Sequence, residues 1–373
     1  MCGSVTNYEK SALKLLENDS VIKILDVLVR NPLTIEEIVD KTGLEKEDVT
    51  HLISDMINMD IVRKEGNVYI LNFCLFSRED AYKLRELGFT FGEKLYRIIL
   101  DNLEWIDESL AKTSCSKYTS LDMLRFIVVG AHTLDLKVLS LLYEKKLALC
   151  GGNRHPGGNY TLFGREISSK EDVSLVRGMY FGCHSDSWGK YTFRSFGDHS
   201  GLRWAFPDVV WRKEPLVMNR LLKLGKEIDV CVKRIACLLE NIASDYYCAR
   251  VRDSSLEYAL DTLLELGYIE CSDSYCRPIV PVFRASDMKI VRQISDHLGE
   301  IIVSFVEDNI FDIRSMLRDF RLYYWVDFRE LFTEVWHWIF GATNNILACR
   351  GYFFKPIAKR KYEGEYIMWM EVS

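Results

Sequence analysis

A set of polar side chains between residues 46 and 67 has the chemistry needed to hydrogen-bond to base edges or to phosphate oxygens. Its members are Lys46, Thr50, His51, Ser54, Arg63, Lys64 and Asn67. The first four lie off the apolar positions of one helical stretch, and the last three belong to a predicted hairpin. A helix in the major groove and a hairpin on the neighbouring backbone would use such side chains. We therefore predict that these residues contact double-stranded DNA.

A second cluster of the same residue types stands at the start of a later predicted helix. Its members are Arg250, Arg252, Ser254 and Tyr258. The N-terminal turn of a reading helix is the part that reaches base edges, so we predict a second DNA contact here.

Large aromatic rings crowd the segment between residues 188 and 211. Trp188, Tyr191, Trp204 and Trp211 share this segment with the guanidinium of Arg203. Such density is typical of a core, but apolar pockets with a few polar groups also bind small ligands. We predict that these five residues bind a small-molecule effector, whose binding shifts the relative orientation of the DNA-reading units.

The residue types of hydrolytic and metal sites are present without the spacing that such sites require. His184 and Ser195 lie in a turn-rich stretch, and the sequence holds no GxSxG nucleophile elbow. His132 and Cys183 belong to no HxxxH or CxxC pair. We therefore expect no catalytic residues, no metal site, no cofactor and no enzymatic activity.

The first cluster needs particular elements to position it, and residues 20–71 predict helix, helix, tight turn, helix and hairpin. Pro32 ends the first helix, and Gly43 suits a turn with positive φ. Thr34 followed by Glu37 forms a capping box at the second helix. The apolar stripe of the third helix is Val49, Leu52, Ile53, Met56 and Ile57.

This order, with the text Pro-Leu-Thr-Ile-Glu-Glu-Ile and then Thr-Gly-Leu, resembles the winged helix-turn-helix of ArsR-like and MarR-like transcription regulators. The resemblance implies DNA binding by the third helix and the wing, and a homodimer on paired half-sites. Residues 228–284 resemble a second such unit, whose later elements match the second half of a winged helix and whose middle helix must fit in 244–252. Small-molecule O-methyltransferases also begin with a winged helix, but no glycine-rich S-adenosylmethionine loop follows here, which makes that enzyme class a less favoured alternative.

The charge balance leaves a third alternative open. The chain has a formal net charge of −6, and residues 1–76 carry eight Lys/Arg against thirteen Asp/Glu. An acidic winged helix can dock a protein in place of DNA, because phosphate repels its carboxylates. A protein-interaction module therefore remains an alternative to the transcription regulator.

We predict a mainly helical protein with a small β content, of the α+β class. The predicted parts are a winged helix (1–76), an amphipathic linker or dimerisation segment (77–118), a central aromatic-rich α+β region (119–215), a second winged-helix-like unit (216–285) and a helical C-terminal region with a hairpin (286–373). The sequence shows neither an uninterrupted apolar run of about 18 residues nor a basic start followed by an apolar stretch. We expect a cytoplasmic protein without a membrane segment.

Overall fold

The computed structural model describes residues 2–149, 155–167, 173–245, 254–272 and 275–373. The chain is 58% helical and 15% strand, which confirms the predicted α+β class. It folds into two compact units. Unit 1 comprises the described parts of 1–91, 138–175 and 302–339, and unit 2 those of 92–137, 176–301 and 340–373.

The N-terminal part of unit 1 follows the predicted order of elements. They are β1 (Cys2–Val5), α1 (Ala12–Leu15), α2 (Asp19–Leu28), α3 (Ile35–Thr42), α4 (Lys46–Asn58), β2 (Val62–Glu65), β3 (Val68–Leu71) and β4 (Cys74–Phe76). The predicted capping box is present, since the hydroxyl of Thr34 accepts from the N–H of Glu37 and the Glu37 carboxylate accepts from the N–H of Thr34. Gly43 ends α3 with φ of 68°.

The core of this part is the buried face shared by α2, α3 and α4. Val49, Ile53 and Met56 of α4 are 2% exposed or less, as predicted. Ile57, which the periodicity assigns to the same stripe, is 40% exposed because it lies at the last turn of the helix. β2 and β3 pair as an antiparallel hairpin that closes one side of this core.

The helices that follow have these bounds. They are α5 (Arg78–Asp101), α6 (Leu103–Leu110), α7 (Leu121–Arg125), a stretch of wider π-helical turns (Phe126–Lys137) and α8 (Val138–Glu144). In the short strands of unit 1, β5 (Gly158–Thr161) pairs antiparallel with β1, and β6 (Phe163–Arg165) pairs parallel with β4.

Within the described residues, one helix, Leu121–Glu144, is long and apolar enough to cross a membrane by length and composition alone. Asp135 and Lys137 interrupt its apolar run, which is why the sequence shows no continuous one. In the structure, 78% of its most apolar window is buried inside the protein, and the core helix of a soluble protein passes the same test.

Unit 2 is built around a four-stranded sheet in the order β11-β12-β8-β7. Its strands are β7 (Gly182–Trp188), β8 (Tyr191–Gly197), β11 (Val282–Phe283) and β12 (Tyr366–Val372). β12 pairs antiparallel with β8, opposing Trp369 to Arg194, whereas β11 pairs parallel with β12. Successive side chains of a strand point to opposite faces, so the sheet has two distinct surfaces.

One face of this sheet packs on a group of helices. They are α9 (Phe206–Trp211), α10 (Pro215–Leu224), α11 (Ile228–Asp245) and α12 (Ser254–Glu265). Phe193 and Met370 join the apolar core that these helices share. The other face carries Phe196, whose ring lies 5.6 Å from that of Phe126 in the π-helical stretch.

The predicted second winged-helix-like unit corresponds to α10–α12 and a hairpin of β9 (Ile269–Cys271) and β10 (Cys276–Pro278). A disulfide joins Cys271 to Cys276 across this hairpin. Most of the middle helix predicted in 244–252 lies outside the described residues. The remaining helices are α13 (Ala285–Leu317), α14 (Leu322–Trp325) and α15 (Phe328–Cys349).

Candidate nucleic-acid interface

The solvent face of α4 carries the first group of predicted DNA-binding residues. Lys46, Thr50, His51 and Ser54 are all exposed, on the side of the helix opposite its buried stripe. The imidazole of His51 is 78% exposed. The structure therefore brings these four side chains together on one accessible surface.

Acidic neighbours reduce the positive charge of this surface. The Nζ of Lys46 lies 2.8 Å from Oε1 of Glu36, and this hydrogen bond is the main cause that lowers the pKa of the Glu36 carboxyl. The Nδ1 of His51 lies 3.4 Å from Oδ2 of Asp55. The hydroxyl of Thr50 donates to the carbonyl of Lys46 at 2.7 Å, which leaves its lone pairs free to accept. The surface therefore offers hydrogen-bonding groups more than net charge.

The hairpin contributes two accessible side chains and one anchor. Lys64 and Asn67 are exposed, and the Nζ of Lys64 lies 5.6 Å from the ring centroid of Tyr69. Arg63 is half-buried, and its guanidinium donates to the carbonyl of Trp325 and, at 2.8 Å, to Glu65. These bonds direct Arg63 into unit 1, so Lys64 and Asn67 are the residues available to a partner.

The second cluster is only partly described. Arg250 and Arg252 lie outside the described residues. Ser254 begins α12, and the ring of Tyr258 is half-buried with the Nζ of Lys223 at 4.7 Å from its centroid.

The five predicted effector residues separate into buried and accessible groups. Trp188 and Tyr191 are 5% and 6% exposed in the core, and the Tyr191 hydroxyl donates to Glu240 at 2.8 Å. Arg203 is 6% exposed and donates to the carbonyls of Gly182 and Asp198 at 2.8 and 2.9 Å. All three pack the interior.

The other two predicted effector residues, Trp204 and Trp211, are accessible to solvent. Trp204 is half-buried, and Trp211, at the end of α9, is 67% exposed. The structure does not bring the five residues together in one pocket, because Trp188 and Tyr191, at the turn between β7 and β8, face the apolar core.

His184 and Ser195, which have the residue types of a hydrolytic site, meet at a shared carboxylate. The Nδ1 of His184 lies 3.1 Å from Oδ1 of Asp208, and the hydroxyl of Ser195 donates to Oδ2 at 2.7 Å. Burial raises the pKa of Asp208, but the hydrogen bond from His184 and the charge of Arg203 outweigh it and lower that pKa. The carboxylate lies between the two groups, so the imidazole is not placed to accept the proton of Ser195.

A buried charged cluster on the other face of the sheet escaped the sequence analysis. Oε1 of Glu371 lies 2.6 Å from Nε of Arg194 and 3.2 Å from Nε2 of His132, and it accepts from the indole N–H of Trp369 at 2.9 Å. Burial also raises the pKa of the neighbouring Cys183 thiol to about 12, which keeps it protonated at neutral pH. The available signal was a single charged residue in each of two largely apolar strands, but nothing local pairs Arg194 with Glu371.

No protein-family model, curated protein or solved structure matched the chain when it was compared with them.

Proposed function

We propose that this protein is a sequence-specific DNA-binding transcription regulator that reads duplex DNA with α4. The order α2, α3, α4 and the β2–β3 hairpin supports a winged helix in which α4 is the reading helix. The observation that carries the proposal is the exposed polar surface of α4. Its buried stripe fixes the helix in the core, and its hydrogen-bonding side chains point to solvent.

The chemistry of this surface suits contacts to base edges. The hydroxyl of Thr50 accepts, since its hydrogen is donated to Lys46, and that of Ser54 donates or accepts. The imidazole of His51 donates to a guanine acceptor or to a phosphate. Lys46 contacts phosphate after its ion pair with Glu36 breaks. That pair is exposed, and exposed ion pairs contribute little to stability. Lys64 and Asn67 of the hairpin contact the adjacent backbone.

Residues 1–76 carry more acidic than basic side chains, so the proposal predicts a particular strength and salt dependence of DNA binding. Few cations face the duplex, so non-specific binding is weak and its dependence on salt is shallow. Specific binding then depends on hydrogen bonds to bases. A homodimer would place two α4 helices on half-sites about 34–36 Å apart. The predicted effector response needs accessible side chains, and Trp204 and Trp211 meet that need.

Fluorescence anisotropy with a labelled duplex from the promoter of its own gene tests the proposal. Replacing Thr50 and Ser54 together by Ala should weaken promoter binding about tenfold or more and leave random-sequence duplex unaffected. Lys64→Ala should weaken both duplexes equally and reduce the slope of log K against log salt by about 0.9. Lys289→Ala, an exposed lysine of α13 in unit 2, is the control for charge removal.

One observation favours protein docking as the second candidate. Glu47 and Asp48 are exposed in the first turn of α4, and Lys46 beside them is neutralised by Glu36. Carboxylates at that position repel phosphate and attract a basic protein surface. If the Thr50→Ala, Ser54→Ala variant bound promoter duplex as tightly as the unaltered protein does, protein docking would be favoured over DNA reading.

A further inference from the structure

A surface of unit 2 alternates aromatic rings with positively charged side chains. We call it the basic–aromatic surface, and it consists of Trp204, Trp211, Arg212, Lys359, Arg360, Lys361 and Tyr362. It combines the segment from Trp204 to Arg212, which includes α9, with the turn that precedes β12.

Direct contacts hold these two segments side by side. The N–H of Leu202 donates to the carbonyl of Tyr362 at 2.8 Å, and the N–H of Gly364 donates back to Leu202 at 2.9 Å. The Trp204 ring joins them, because the guanidinium carbons of Arg360 and Arg212 lie 4.3 and 5.9 Å from its centroid. Both arginines therefore belong to one local surface, held by cation–π contacts.

Two aromatic rings of this surface are open to solvent. Tyr362 is 74% exposed, with the Nζ of Lys361 4.9 Å from its ring centroid. Trp211 is 67% exposed, and the ring of His184 meets it edge-on, with 6.4 Å between the two centroids. Trp211 and Tyr362 therefore present accessible ring faces beside positively charged side chains.

Two carboxylates near this surface, those of Glu363 and Glu265, are already engaged. Glu363 is 5% exposed and accepts from the N–H groups of Lys359 and Arg360 at 2.6 Å each, which shapes the turn. Glu265 lies 3.5 Å from Arg360. Among the described residues, no carboxylate forms an ion pair with Lys359 or Lys361. These two ammonium groups remain available to an anionic partner.

We propose that the basic–aromatic surface binds single-stranded nucleic acid. Lysine and arginine side chains neutralise its phosphates, and Trp211 and Tyr362 stack on its bases, which an unpaired strand exposes. The bases of a duplex are already stacked on each other, and an acidic peptide has no comparable flat faces. This proposal does not depend on duplex reading by α4, which lies in unit 1.

Anisotropy of a fluorescein-labelled dT12 strand tests it. The Trp211→Ala, Tyr362→Ala double variant should bind dT12 at least about fivefold more weakly than the unaltered protein, since base stacking on an aromatic contributes about 1–3 kcal/mol per base. Lys359→Ala, Lys361→Ala should reduce the slope of log K against log salt by about 0.7 for each phosphate that is no longer neutralised. All four side chains lie at the surface, so the melting temperature should not change.

Matched controls separate this surface from the rest of the chain. Phe311→Ala removes an 81% exposed ring and Lys41→Ala an exposed ammonium, both in unit 1, and both should leave dT12 binding unchanged. Thr50→Ala with Ser54→Ala should also leave it unchanged, whatever that variant does to duplex binding.

An abasic 12-residue strand supplies the decisive comparison, because it keeps the phosphates and lacks the bases. The unaltered protein should prefer dT12, and the ring variant should lose that preference. Equal binding of the two strands, undiminished dT12 binding by the ring variant, or binding to phosphatidylserine vesicles with none to dT12 would overturn the proposal.

Discussion

Glu371 shows how strongly a single buried carboxylate depends on its neighbours. Burial alone raises its pKa, but the hydrogen bond and charge of His132, together with the charge of Arg194, outweigh burial and lower the pKa to about 2. A carboxyl with a depressed pKa in the folded state stabilises the fold above its unfolded pKa of about 4.3. That contribution is lost as the pH falls from about 4.3 towards 2.

This electrostatic cluster predicts an acid-dependent loss of stability. Glu371→Gln should lower the free energy of unfolding at pH 7 by about 3 kcal/mol or more, because Arg194 is left without its buried carboxylate. The variant should also lose less stability than the unaltered protein between pH 5 and pH 3. Denaturant unfolding at several pH values measures both effects.

Glu79→Gln is the matched control, since Glu79 pairs with Lys83 on the solvent side of α5. The hydrogen bond from Lys83 lowers the pKa of Glu79, but the pair is exposed, so this variant should change the stability and its pH dependence far less than Glu371→Gln does. If the two glutamine variants responded alike to acid, Glu371 would not have the role assigned to it.

Neighbouring residues of the hairpin, Arg63 and Lys64, should have different effects when replaced. Arg63→Ala removes a half-buried guanidinium from the carbonyl of Trp325, so it should lower the free energy of unfolding by about 1–3 kcal/mol. Lys64→Ala should leave stability unchanged and weaken duplex binding. Thermal unfolding and anisotropy on both variants check these two roles. An Arg63→Ala variant of unchanged stability and impaired duplex binding would show that Arg63 contacts DNA and does not anchor the hairpin.

At the scale of elements, α5 approaches α15 closely enough in unit 1 to need glycine. A Cβ on Gly88 would lie 2.6 Å from the carbonyl oxygen of Trp338, which is backbone and cannot rotate away. Gly88→Ala should therefore lower the free energy of unfolding by about 1–3 kcal/mol through overpacking.

The ordinary effect of this substitution has the opposite sign. Alanine in an open helix position is about 1 kcal/mol more favourable than glycine. Thr90→Ala, at an exposed position of α5, is the control and should be nearly neutral. Stabilisation by Gly88→Ala in denaturant unfolding would show that the two helices do not approach each other so closely.

The elements that could be predicted from the sequence are those with local signals. The capping box of Thr34 and Glu37, the turn at Gly43 and the stripe of α4 all act within a few residues, and the structure has each of them. The pairing of β8 with β12 joins residues about 177 positions apart, and no local pattern specifies it. This pairing determines which aromatic residues become core.

The residues of the candidate sites also separate into those that a local sequence pattern predicts and those that it does not. The accessible surface of α4 could be predicted because residues off an apolar stripe face solvent. The anchor role of Arg63 could not, since its partner Trp325 is distant in sequence. Trp188, Tyr191 and Trp211 are alike in composition, so the sequence does not separate them. The β7–β8 pairing turns Trp188 and Tyr191 into the core, whereas Trp211 ends α9 and is exposed.

At the scale of the whole molecule, the two surfaces differ in charge and in the ligand that we propose for each. The formal charge of −6 conceals an acidic unit 1 surface around α4 and a basic patch on unit 2. The α4 surface is suited to hydrogen bonds with bases of a duplex, and the basic–aromatic surface to phosphates and unpaired bases. The two proposals therefore assign duplex DNA to a surface of unit 1 and single-stranded nucleic acid to a surface of unit 2.

The most direct test of DNA reading is the ratio of two affinities at physiological salt. Anisotropy would compare a duplex from the promoter of its own gene with a scrambled duplex of the same length and composition. Reading by α4 predicts promoter binding at least about 10³-fold tighter, which is the lower end of the range for sequence-specific DNA-binding proteins. Equal affinity for the two duplexes, or binding to neither, would contradict it.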